Sequence, residues 1–140
     1  MDYDLQYDPK YRVLLIVMGR TVTKASALAA QNAVRRFMDV KGACSVIADL
    51  SAIEKEQVPG YFVRSLAWMP SAVPLGKTLI LVAPQTVIYG LSRMFHLWRG
   101  GTGHYKVVHT VEEGYAVLGM ETPDFQVIDF SVASVGGPIL

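Results

Sequence analysis

Tyr89, Arg93 and His96 are the first residues of this chain whose types and spacing together suggest chemistry. Their separation of i, i+4 and i+7 puts all three on one face of a helix. They flank an apolar stripe of Val87, Ile88, Leu91, Met94, Phe95 and Trp98. An arginine in that setting can grip a carboxylate or a phosphate through its planar fork. The plainer reading is preferred: Arg93 lies on the surface or pairs with an acid on a neighbouring helix, and the Tyr89 ring packs on the domain. A second candidate is the stretch Trp68-Met69-Pro70-Ser71-Ala72-Val73-Pro74-Leu75, unusually apolar for a helix end and loop. It caps the core on the preferred reading. Alternatively it forms an apolar patch at a subunit interface, or the mouth of a small hydrophobic cavity. Trp68, Met69, Leu75, Tyr89, Arg93 and His96 are therefore the candidate ligand- or partner-binding residues.

The other chemically capable groups fit plainer roles. Gly100-Gly101-Thr102-Gly103 resembles a phosphate cradle, but such a loop must follow a strand and open a helix. Here it follows a helical pattern and precedes a strand, so it reads as a helix end and turn. His96, His104 and His109 lack metal-ligand spacing, and Cys44 lies in a different element. None of Ser51, Ser65, Ser71 and Ser92 sits in a nucleophile elbow. Cys44 has no neighbour in sequence that would lower its pKa. Glu54 and Glu56, with Lys55 between them, read as a solvated charge run. No catalytic residue, metal or cofactor is assigned, and the chain is expected not to be an enzyme. Catalytic groups converging from distant positions remain a remote third class.

These residues must be positioned by one small domain. The chain has 140 residues, 51% hydrophobic and 18% charged, which excludes a disordered or collagen-like polymer. Thirteen Lys and Arg against twelve Asp and Glu leave almost no field to attract phosphates, so nucleic acid is not an expected partner. The single cysteine, Cys44, beside Val46-Ile47-Ala48, suits a buried thiol in a reducing interior. The acidic start MDYDLQYDPK lacks the basic and apolar regions of an export signal. Val13 to Met18 and Leu79 to Ala83 are far shorter than the roughly 20 residues of a membrane-spanning helix. A soluble, cytoplasmic protein is expected.

Residues 3 to 19 read as a hairpin turning at Asp8-Pro9-Lys10, the strand Tyr3 to Tyr7 alternating like an edge and Arg12 to Met18 nearly continuous like a central strand. Thr23 caps a helix to about Asp39, with Ala25, Leu28, Ala29, Ala33, Phe37 and Val40 inward, Arg35 and Asp39 paired, and Gly42 as its end. Ser45 to Leu50 is a buried strand, and a helix spans about Pro59 to Met69. Thr78 to Val82 is a third buried strand, and the helix bearing Tyr89 and Arg93 follows Pro84. Tyr105 to Val108 is another strand, and Thr110 opens a short helix closed by Gly119. Phe125 to Val132 alternates weakly, as a further strand would. The expected fold is α/β, a single domain with a mostly parallel central sheet of about five strands, an antiparallel N-terminal edge strand and about four helices.

The element order, with Val46 to Ser51, Tyr89-Gly90-Leu91-Ser92-Arg93-Met94-Phe95 and Val107 to Gly119, resembles the STAS-like family, the sulphate-transporter and anti-sigma-factor-antagonist fold, and in particular a bacterial branch of it. The stretch Tyr-Gly-x-x-Arg-Met-Phe is the most specific part. The resemblance makes residues 1–119 a STAS-like domain and 120–140 a C-terminal extension, either an extra strand or a dimer arm. It implies a non-enzymatic protein-interaction module, here expected as a homodimer with an unidentified protein partner. Wider family members are switched by phosphorylation of a serine at the start of the second helix. The corresponding Glu54-Lys55-Glu56-Gln57-Val58-Pro59-Gly60 has no hydroxyl, so the switch is not expected to transfer. Ser51, the nearest hydroxyl, reads as a turn residue. The branch is also similar in fold to CRAL-TRIO lipid-transfer domains, which supports as alternative a carrier or sensor of a small apolar or anionic ligand.

The periodic stripe yields a direct test. Replacing Leu91 with Ala should cost about 2–5 kcal/mol by urea denaturation; a loss below about 0.5 kcal/mol would put the stripe in solvent.

Overall fold

A computed structural model describes residues 3–21, 24–53, 77–84 and 105–128. Its described elements run β1 (Tyr3–Asp8), β2 (Val13–Met18), α1 (Lys24–Lys41), β3 (Ser45–Asp49), β4 (Leu79–Val82), β5 (Tyr105–Val108), α2 (Val111–Val117) and β6 (Gln126–Ile128). The strands form one six-stranded mixed sheet in the order β5-β4-β3-β2-β1-β6. β2, β3, β4 and β5 run parallel in sequence order, while β1 is antiparallel to both β2 and β6. The chain is thus α/β with a mixed sheet. The helices expected from about Pro59 to Met69 and after Pro84 lie outside the described residues.

One expectation is corrected. β1 is antiparallel to β2 as the hairpin requires, but it is not an edge strand, because β6 pairs along its other side through Leu5↔Ile128, Gln6↔Val127 and Tyr7↔Gln126. Alternation in β1 reflects one polar face, with Asp4 exposed and Gln6 half-buried, and one face against the core. A strand inside a sheet reads the same way when one of its faces is wet.

The continuous apolar runs become strands buried on both sides. Leu14, Val46 and Leu79 form one row across β2, β3 and β4, and Ile16, Ala48 and Leu81 form a second. Both rows face α1, in a cluster with Leu5, Ala30, Ala33, Val34 and Phe37. Leu15, Ile47 and Ile80 point the opposite way, into a cluster with Val13, Val82 and Met120. Val111, Tyr115 and Leu118 of the α2 region and Phe125 pack on that second face. Successive side chains of a strand alternate sides, so an unbroken apolar run demands cover on both.

The α1 stripe is rotated from its expected phase. Ala33 and Phe37 are buried as expected, but Ala25 is exposed, Leu28 is 47% exposed and Val40 is 45% exposed. Ala30 and Val34 take the inward positions instead. At the helical period Asn32, Arg35, Arg36 and Asp39 gather on one side of α1 with Leu28 among them, while Ala30, Ala33, Val34 and Phe37 share the other side. Phe37 is fully buried, with its ring 4.7 Å from that of Tyr7 at 57°. Seating Phe37 brings Ala30, Ala33 and Val34 inward, three and four residues away or two turns back.

The expected helix ends are present. Gly42 and Gly119 take left-handed backbone, with φ of 93° and 70°, a conformation glycine adopts without a Cβ penalty. Thr110 caps α2: its hydroxyl accepts from Glu113 N at 3.2 Å, and the Glu113 carboxylate accepts from Thr110 N at 3.0 Å, a reciprocal capping box. Gly114 lets α2 lie close on the sheet, since a Cβ there would stand 3.2 Å from Ile80 Cγ2. Among the described residues no helix is long and apolar enough to cross a membrane.

Because Phe37 is fully buried on the inward side of α1, Phe37→Ala should destabilise the chain by about 3–5 kcal/mol in chemical denaturation. A cost under about 1 kcal/mol would mean that another residue seats the helix.

Candidate functional site

The six sequence candidates, Trp68, Met69, Leu75, Tyr89, Arg93 and His96, lie outside the described residues. His104 and the Gly100 to Gly103 cluster do as well. The described structure instead defines the two rims of the parallel sheet. Loops leaving the carboxyl ends of parallel strands gather at one rim, where open α/β sheets usually bind ligands.

That rim carries the exits of β3, β4 and β5. Backbone bonds extend the pairing past the strand ends, from Leu50 N to the Val82 carbonyl and from Ala83 N to the Val108 carbonyl, each 2.9 Å. Asp49 and Ser51 follow on β3, Pro84 on β4, and His109 and Thr110 on β5. Asp49 Oδ1 accepts from Ser51 N at 3.0 Å and from Ser51 Oγ at 2.6 Å, closing a tight turn. Glu113 is committed to the helix cap, accepting also from His109 N at 3.0 Å. The Tyr115 phenol is held above its ordinary pKa, first by burial and then by the charges of Glu112 and Asp49. This rim therefore combines three carboxylates, Asp49, Glu112 and Glu113, with a phenol that stays protonated, a donor and acceptor set suited to polar recognition. Among the described residues no group of three His, Cys, Asp or Glu side chains is placed to hold a metal ion.

The opposite rim carries cations as well as Asp8. Arg12 precedes β2, Lys41 ends α1 and Lys77 precedes β4. Ser45 Oγ accepts from Thr78 N at 3.1 Å and ties the starts of β3 and β4 together. Cys44 lies here, 1% exposed, and its thiol is pushed up from an ordinary 9.0 to about 11. Burial is the dominant cause, and it outweighs the nearby positive charges of Lys77 and Arg12. A thiol held protonated in this way is a packing group rather than a nucleophile.

Sequence reasoning missed a buried polar cluster at the hairpin turn. Asp8 is fully buried. Its Oδ1 accepts from Lys10 N at 2.9 Å and Tyr11 N at 3.2 Å, and its Oδ2 accepts from Asp124 N at 2.8 Å. Outside it, Thr122 Oγ1 accepts from Lys10 Nζ at 3.0 Å, and Thr122 N donates to the Tyr11 phenol oxygen at 3.1 Å. The Tyr11 phenol and the Thr122 hydroxyl also lie within hydrogen-bond distance at 3.3 Å, and that bond, followed by the one from Thr122 N, is the main cause of a lowered Tyr11 pKa. Asp8-Pro9-Lys10 was legible as a turn, whereas the partner 116 residues away at Asp124 leaves no local signal.

Cys44 provides the test. Native protein at about pH 8 should resist thiol reagents and react only on unfolding. Between about pH 9 and 11 the unfolded thiol has lost a proton that the native one keeps, so the unfolded state binds fewer protons and stability falls as pH rises through that window. Cys44→Ala should lose this part of the alkaline decline; an unchanged slope would show that Cys44 does not contribute to it. In comparisons with known proteins, no family model and no curated protein matches this chain.

Proposed function

We propose that this chain is a non-enzymatic STAS-like domain that works through protein contacts, as a cytoplasmic homodimer, without the serine phosphoswitch of the wider family. The observation that carries this reading is the turn leaving β3. The switches of that family place their serine at the start of the helix after this strand. Here the nearest hydroxyl, Ser51, donates to Asp49 at 2.6 Å within the turn, and the segment Glu54 to Gly60 offers no other. A phosphate on Ser51 would stand against the Asp49 carboxylate, an unfavourable pairing of like charges. The described fold supports the same reading, since its polar groups at the carboxyl rim are engaged in a turn and a cap rather than in an acid–base pair. Tyr89, Arg93 and His96, expected on one helix face, and the stretch from Trp68 to Leu75 are the proposed contact residues.

Native mass spectrometry of the purified chain, with collision energy raised in steps, tests this directly. A ligand-free dimer is expected. A reproducible extra mass released on activation would replace this reading with that of a carrier of a small apolar or anionic ligand, and a ligand-free monomer would remove the dimer.

A further inference from the structure

We draw no further inference here: the strongest candidate, the carboxamide of Gln31 on the covered flank of α1, 5% exposed and with its amide nitrogen unpartnered, carries nothing because nothing among the described residues shows what it would bind.

Discussion

Strands that are apolar on both faces cannot be left half-covered, and the rest of this structure follows from that constraint. β2, β3 and β4 present Leu14, Ile16, Val46, Ala48, Leu79 and Leu81 to one side and Val13, Leu15, Ile47, Ile80 and Val82 to the other. Each buried aliphatic side chain favours folding by about 1.5–3 kcal/mol, so neither side can face water. α1 covers the first face, with Phe37 as its deepest residue. The second face is covered by α2, Met120 and Phe125, which brings the chain back across the sheet to pair with β1 as β6.

Polar groups then occupy what the core leaves. Two are buried in instructive ways. Cys44 lies beside two cations and still keeps its proton, since loss of hydration outweighs them. Asp8 has no exposed surface, and its carboxylate is met by three backbone N–H groups from segments far apart in sequence. Buried charge is tolerated where hydrogen bonds replace water. At the carboxyl rim, Asp49 and Glu113 serve a turn and a helix cap, and Tyr115 is drawn into the field of Asp49 and Glu112. Both rims carry charges of both signs: Asp8 lies with Arg12 and Lys77 at one, and Arg20 follows β2 at the other, with Asp49, Glu112 and Glu113.

Much of this was legible in the amino-acid sequence alone, wherever the signal is local. Continuous runs of Val, Ile and Leu specified the buried strands, Thr110 with Glu113 specified a helix start, and Gly42 and Gly119 specified helix ends. Each works through neighbours within a few residues, by alternation, capping or permitted backbone angle. The candidate residues Trp68, Met69, Leu75, Tyr89, Arg93 and His96 likewise rest on local pattern. Only the tertiary structure decided the interior place of β1 and the burial of Asp8 against Asp124. Those outcomes depend on which face meets a distant partner: Leu5 finds Ile128, and the turn at Asp8 finds an amide near the other end of the chain. Periodicity records that a face is apolar, and packing alone determines what will cover it.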